Sequence, residues 1–460
     1  LIIDSGRYDH EFIEKYTRGF EEFKAYLDTQ TMEQLSKWCG ISVTDIEKLT
    51  DIFCSTAKIP LVAYTGLEYQ LSAIQNNRAI FVLWAITGKL DAPGAIYLNA
   101  KGLETPKLFE IPEDDKPIGV DEFPLFYKFS GLGQFSRFPK AVLEDEPYPV
   151  RGLMILGGSP VLSFPDSKSW REAYKKLDCL IVLDRYFTED ARYADVVFPA
   201  CSLFEVPKAV PGPEGPHIVE PLIEPVGESK NDVLIMGAIA KKLGFGDKLP
   251  QTEEELRSWL LSGTAPYAGD FGTSADQKKE KHYKKYETGE LRADGKPGFP
   301  TPSGKLEICS TILEENGFVP YPEYKDVRSI PELAGKEYPF TMTSGARSNN
   351  RMGVFGANLD KIAEIEPYPF VDINAEDAKE IGIEDGDMVK VITPFADGTF
   401  KAKIRGIARH AIHIPHGGGS AYMAEPWKNG NVNDLCSLDY ADPMTGFVLI
   451  KSVPCRVEKV

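Results

Sequence analysis

Apolar positions fall into two rhythms along this chain. Up to about residue 245, short continuous apolar runs end in glycine and give way to helical spacing. From about Tyr338 onward, apolar and polar residues alternate. Continuous runs predict parallel strands covered on both faces, whereas alternation predicts strands with one wet face. Within the first stretch, "TMEQLSKWCG" opens on a Thr31/Gln34 capping box and stops at Gly40. "SVTDIEKLTDIF" predicts a second helix with Ile46, Leu49 and Phe53 on one face. "IPLVAYTG" predicts a short buried strand, and "AIQNNRAIFVLWAITG" a helix closed by Gly88. Strand, glycine turn and helix make the unit of a parallel α/β layer.

The same rhythm is clearer over residues 151–245. "VRGLMILGGSP" is an apolar strand running into a glycine turn, and "SWREAYKKL" is a helix. "DCLIVLDRY" and "ADVVFPA" predict two more strands, and "DVLIMGAIAKKLG" a helix ending at Gly244. Around "SADQKKEKHYKKYETGELRADGKPG" charge is dense and no apolar face is visible, which predicts a solvated insertion. Beyond it, "YPFTMTSG" is a strand, and "NAEDAKEIG" is a short helix with Asn374 as cap and Gly382 as stop. "DMVKVITPFADGTFKAKIRG" predicts a hairpin on its Asp-Gly pair. "AIHIP" and "FVLIKSVPCRVEKV" add strands, so this end predicts a small barrel. The expected fold class is α/β: parallel, Rossmann-like layers followed by a C-terminal β-barrel. The boundaries fall at 1–97 for the end of one α/β domain, 98–150 for an irregular connection and 151–245 for a second α/β domain. A charged insertion covers 246–335, and the barrel 336–460.

Composition narrows the function classes. Apolar residues are 42% and charged residues 26% of 460, enough to bury a large core. The net charge of −17 argues against nucleic acid and anionic membranes as partners. No apolar run is long enough to span a bilayer, so direct membrane insertion is not expected. The seven cysteines form no C-x-x-C pair, which argues against a disulfide framework and a Cys-rich metal site. The opening "LIIDSGRYDHEF" begins inside an apolar run, as expected of a fragment.

Several stretches suggest ligand chemistry. In "ILGGSP", Gly157 and Gly158 let backbone amides approach a phosphate or ribose, or simply make a tight turn. Asp184 ends a strand, where it either takes sugar hydroxyls or caps a helix. "SGLGQ" lacks a preceding strand, and "GFPTPSGKLE" has the wrong spacing for a phosphate loop. His410, His413 and His416 are spaced by three on a predicted strand, which scatters them rather than gathering a metal site. His416, beside Gly417 and Gly418, is the histidine best placed for a polar ligand.

In combination these stretches resemble the C-terminal portion of a molybdopterin oxidoreductase of the dimethyl-sulfoxide-reductase superfamily. The resemblance runs, in family order, through "YDHEFIEKYTRGFE", "RAIFVLWAITGKLDAPG", "ILGGSP", "IVLDRYFTEDARYADVVFPACSLFE", "EPVGESKNDVLIMGAIAKKLG", "TPSGKLEICS", "DINAEDAKEIGIEDGDMVKV" and "GNVNDLCSLDYADPMTGF". It implies two molybdopterin guanine dinucleotides around molybdenum or tungsten, with a double-psi type barrel closing over them. By that resemblance Gly157, Gly158, Ser159, Asp184, Thr188 and Asp195 lie at one guanosine tail. Gly66 and Gln70 lie at the other, and Thr343, Ser344, Gly345 and Arg347 form the first barrel loop, with Arg347 placed to pair with a diphosphate. His416, Gly417, Gly418 and Asn433 would approach a pterin edge. Arg351 stands where many relatives have histidine, and the run after "CSLFE" is closer to the thiosulfate/polysulfide-reductase and acetylene-hydratase branches.

The resemblance implies two-electron or oxo/sulfur transfer on a small substrate, with an iron–sulfur subunit as electron partner. The metal ligand and the 4Fe-4S cluster would belong to an N-terminal region absent from this chain. No catalytic residue is assigned, and the compartment is cytoplasmic or periplasmic by twin-arginine export. Two alternatives stand beside this reading. One is a non-redox hydratase on the same scaffold, and the other is a non-catalytic cofactor-binding or scaffold subunit.

Overall fold

The computed structural model describes residues 1–98, 116–210, 216–262, 281–345, 359–423 and 425–460. The strands in chain order are β1 (Thr17–Arg18), β2 (Gly152–Leu156), β3 (Cys179–Asp184), β4 (Val196–Pro199), β5 (Lys208–Val210) and β6 (His217–Val219). They continue with β7 (Leu306–Glu307), β8 (Phe340–Ser344), β9 (Phe370–Asn374), β10 (Met388–Ile392), β11 (Asp397–Arg405), β12 (Ala411–Ile414) and β13 (Lys451–Lys459).

Strands β2, β3 and β4 make a parallel sheet in that order, as the apolar runs predicted. Helices Pro160–Ser163 and Ser167–Lys176 form the β2-to-β3 crossover. One side of the layer is dry: Trp170, Leu180 and Val182 are fully buried, and Trp170 stacks on Phe138 at 5.6 Å. The other side is only part-covered, since Leu156 and Val196 remain 42% and 41% exposed. Coverage on both faces is therefore incomplete in the described residues.

The barrel is closed, in the order β10–β11–β9–β12–β8–β13. Two of its pairings are parallel, β8 with β12 and β9 with β11. Alternation sets which side chains go in. Along β8, Phe340, Met342 and Ser344 are buried while Thr341 and Thr343 are half-buried. Met342, Val371, Ile373, Val389, Phe400 and Val453 meet in the interior, each contributing about 1.5–3 kcal/mol by leaving water. The β10–β11 hairpin forms as expected, but its turn is made by residues 393–396, ahead of the Asp-Gly pair. Asp397 and Gly398 belong to β11, opposite Ile392 and Val391. The Thr393 N–H reaches the Ala396 carbonyl at 2.9 Å, and the Thr393 hydroxyl stabilises that turn.

Helices at the N-terminal end follow their caps. Thr31 accepts the Gln34 N–H at 3.1 Å, and Gly40 closes that helix at φ +68°. On the next helix, Val43–Ser55, Phe53 is buried against Trp84, but Leu49 is 56% exposed, so the predicted face is half used. Two expectations reverse. "IPLVAYTG" forms no strand: Val62 and Tyr64 are 95% and 85% exposed, and no described strand lies alongside to complete a ladder. A lone strand leaves its backbone groups unpaired, so it does not persist. Conversely, the charge-dense segment after 280 is a core element. Tyr286, Leu291 and Phe299 pack with Phe12, Ala85 and Leu90. Lys285 is buried there because Asp91, also buried, accepts from it at 2.5 Å. β7 of the same region pairs with β1.

Among the described residues no helix is long and apolar enough to cross a membrane.

Candidate cofactor site

The C-terminal edge of the parallel sheet carries the first group of predicted residues. Gly157 follows β2 at φ +59°, and its N–H donates to the Leu183 carbonyl at 2.9 Å. Among the described residues a Cβ built there would meet nothing within 4 Å, so the turn is open on that side. Gly158 follows it, with only Ile155 and Leu156 atoms at 4.0 Å. Asp184 ends β3 next door and accepts the Tyr186 N–H at 3.0 Å. An open turn beside a carboxylate at a strand terminus suits a sugar-bearing ligand.

Ser159, Thr188 and Asp195 have duties within the layer instead. The Ser159 hydroxyl donates to Asp190, a fully buried carboxylate that also takes the Val161 N–H at 3.1 Å and the Tyr174 hydroxyl at 2.8 Å. Burial pushes the Asp190 carboxyl up, and these donors pull it back. Asp190 organises the turn after Gly158, yet sequence reading passed over it inside "TEDARYAD". Thr188 accepts the Ala191 N–H at 3.3 Å, and Asp195 accepts the Leu180 N–H at 2.7 Å.

A second group converges at one end of the barrel. Thr343 lies opposite His413 on β12 and Lys451 on β13. Ser344 is buried and donates to the Ile450 carbonyl at 3.1 Å. Gly345 leaves the strand at φ +106°. Gly66 and Gln70 come to the same place: Gln70 donates to the Gly66 carbonyl at 3.0 Å, and Tyr69 accepts the Lys451 N–H at 3.2 Å. Loops separated by more than two hundred residues in sequence thus flank Lys451. Its ammonium donates to the Ser344 carbonyl and would stand 3.0 Å from a Cβ at Gly345. Lys451 was not a predicted site residue, because it reads as one polar break in the apolar run "FVLIKSV". Arg347 and Arg351 lie outside the described residues.

The third group closes on itself. His416 is half-buried after β12. Gly417, Gly418 and Gly419 take φ +132°, +104° and +92°. A Cβ on Gly418 would fall 2.8 Å from the Gly430 carbonyl oxygen, and one on Gly419 2.6 Å from Asn431 Cβ. Asn433, 1% exposed, donates to the Leu162 carbonyl at 2.7 Å and accepts on its own carbonyl from Asp166 at 3.0 Å. Asn431 donates to Ser167 at 2.9 Å. The amides of "GNVND" therefore fasten the barrel to the two crossover helices, and the glycines admit that close packing. The histidines do not gather. His413 Nδ1 is 2.9 Å from Asp372, His410 Nδ1 is 3.7 Å from Asp377, and no group of metal-holding side chains forms among the described residues.

The donor set fits a dinucleotide-tailed cofactor. The sheet edge offers open backbone and a carboxylate for sugar hydroxyls, and the barrel end offers a cation, open glycine backbone and an amide for an anionic bridge.

Two family models match this chain. The molybdopterin oxidoreductase model covers residues 68–242, and the molydopterin dinucleotide binding domain model covers 341–454. The probable oxidoreductase YoaE of Bacillus subtilis is 27% identical over 85% of this chain and 56% of its own length. The F420-dependent formate dehydrogenase subunit alpha of Methanocaldococcus jannaschii is 27% identical over 90% of this chain and 62% of its own. Acetylene hydratase of Syntrophotalea acetylenica is 25% identical over 91% and 61%. The chain thus spans only 56–62% of the length of these relatives. Among solved structures, acetylene hydratase from Pelobacter acetylenicus superposes with a TM-score of 0.77, covering 100% of this chain and 69% of that one at 21% identity. With both halves of the cofactor scaffold matched in order, the chain belongs to the molybdopterin oxidoreductases of the dimethyl-sulfoxide-reductase superfamily.

Proposed function

We propose that this chain is the cofactor-holding part of a molybdenum or tungsten enzyme that carries two molybdopterin guanine dinucleotides and performs two-electron or oxo/sulfur transfer on a small substrate. The observation that carries this reading is the open turn at Gly157 beside Asp184, facing free space at the end of a parallel sheet. When bound, the cofactor supplies the redox chemistry, and the protein supplies binding, orientation and electrostatics. In this reading Asp184 accepts hydroxyls of one nucleoside, and Gly157 and Gly158 let the backbone approach its phosphate. Ser344, Gly345, Gly66 and Gln70 line the place of the other tail. Asp190 keeps the first turn in shape without touching the ligand. Electrons would pass to an iron–sulfur partner.

The test is chemical analysis of the purified whole protein. Guanine nucleotide released by acid, together with molybdenum or tungsten by mass spectrometry, is the expected result. A metal-loaded protein with no guanine nucleotide would sink the proposal. The likeness to acetylene hydratase supports a second reading, hydration on the same scaffold. Turnover with no external electron donor or acceptor would favour it.

A further inference from the structure

We infer that the loop at 441–448 is a proton-linked latch: Asp442 sits in the closed loop as an uncharged acid, and losing that proton frees the loop from the segments it grips. The latch needs no cofactor, so it stands or falls apart from the proposed function.

The loop joins the barrel to three earlier segments. Its tip packs on the connection between the α/β regions. The Thr445 carbonyl accepts from the Gln134 amide, and a Cβ on Gly446 would fall 2.7 Å from Gln134 Cγ and 2.8 Å from the Phe123 ring. Phe447 meets Tyr69 at 5.5 Å between ring centroids, and Met444 is buried with Leu125 and Leu313. Asp442 shapes the loop from inside. Its Oδ1 accepts the Met444 N–H at 3.0 Å, the Thr445 N–H at 2.8 Å and the Thr445 hydroxyl at 2.8 Å. The backbone closes around it: the Asp442 N–H donates to the Phe447 carbonyl at 2.9 Å, and the Gly446 N–H to the Asp442 carbonyl at 2.8 Å.

The second carboxyl oxygen carries the inference. Asp442 is 0% exposed, and its Oδ2 is buried with no hydrogen-bond partner among the described residues. No cation on the packed segments compensates it. Arg78 donates to Gln75 and the Ile308 carbonyl, and Arg137 to Glu122 and the Leu438 carbonyl. Lys451 donates to the Ser344 carbonyl, and Glu314 faces Arg18. Glu68, Lys128 and Asp439 form no ion pair with Asp442 either. Three donors on Oδ1 favour a charge, but a dry Oδ2 with neither donor nor counter-charge opposes it. A neutral acid resolves the conflict, because Oδ1 is then the carbonyl that the donors need and the proton sits on Oδ2. Burial pushes the Asp442 carboxyl up, against the pull of the Thr445, Met444 and Ile74 donors.

The bland role is an ionised turn-former held by its donors at every pH, and the two roles differ in sign. Opening the latch wets the carboxyl, which then ionises above about pH 4. Rising pH should therefore favour opening, by up to about tenfold per pH unit, until the closed form also ionises and the effect levels off. The test is hydrogen exchange of the purified whole protein across this range, read by mass spectrometry on peptides covering 441–448 and 123–137. Protection, corrected for the intrinsic pH dependence of exchange, should fall in both peptides together while the β8 peptide stays level. Protection that is flat or grows with pH would overturn the latch. Asp442→Asn keeps the carbonyl acceptor and the size of the neutral acid, so it should fold and remove the pH dependence. An Asn variant that fails to fold, or that keeps the wild-type pH dependence, would overturn the latch as well.

Discussion

Two glycine turns in this chain look alike in sequence and do opposite things. "HGGGS" and "ILGGSP" each follow an apolar strand and each place glycine at positive φ. At Gly418 and Gly419 the space a Cβ needs is already filled by Gly430 and Asn431. At Gly157 no described residue occupies that space. The first turn uses glycine to let two backbones of the same chain meet, and the second leaves its glycine unopposed by any described residue. Counting glycines does not separate these uses. What separates them is the segment opposite, and for the barrel turn that segment is residues 427–433, held in place by Asn431 and Asn433.

The comparison breaks most visibly at Gly419. Gly419→Ala would set a Cβ 2.6 Å from Asn431 Cβ and 3.2 Å from Leu162 on a backbone at φ +92°. Strain and overpacking together should cost roughly 2–5 kcal/mol. Urea unfolding of the variant should show a much lower midpoint at unchanged slope. An unchanged midpoint would mean that the turn is loose and that the packing reading is wrong. Asn433→Ala is the next largest. It strands the Leu162 carbonyl and should cost about 1–3 kcal/mol. Because that amide joins the barrel to the crossover helices, the barrel and the parallel layer should begin to melt apart. A single sharp calorimetric transition at the wild-type temperature would refute the fastening role.

Local patterning was readable where neighbours in sequence decide the outcome. The alternation of β8, the caps at Thr31 and Asn374, and the parallel strands at 152–156 and 179–184 follow from residues within a few positions of each other. Long-range partners were not readable. Lys285 looks solvated until Asp91, 194 residues away, neutralises it in the core. "IPLVAYTG" looks buried until the lack of an adjacent described strand leaves Val62 in water. The same limit governs the candidate site. Gly157 and Asp184 could be named from their strand ends, whereas Lys451 depends on a bulge at Ser452 and on loops near residues 69 and 344. Asn433 is buried, and its side-chain amide donates to the Leu162 carbonyl of the crossover, a partner 271 positions away.

The smallest change in stability, and the sharpest test of the comparison, is Gly157→Ala. No atom of the described residues lies within 4 Å of the new methyl group, so the left-handed backbone is what resists it, at a cost of about 1–2 kcal/mol. If the empty space belongs to a ligand, the methyl group will lie where a phosphate or ribose must approach. The variant should then fold with a slightly lowered midpoint yet lose several-fold of its guanine nucleotide, the reverse of Gly419→Ala, whose damage falls on folding. The two readouts are independent, because the stability cost arises from one residue's φ and the nucleotide loss from what lies beyond its Cβ. Were Gly157→Ala to keep its full nucleotide content, the open turn would be an ordinary turn with solvent beside it. Asp184 and Gly158 would then be left to make any ligand contact on that edge of the sheet, where Ser159, Thr188 and Asp195 already serve the layer.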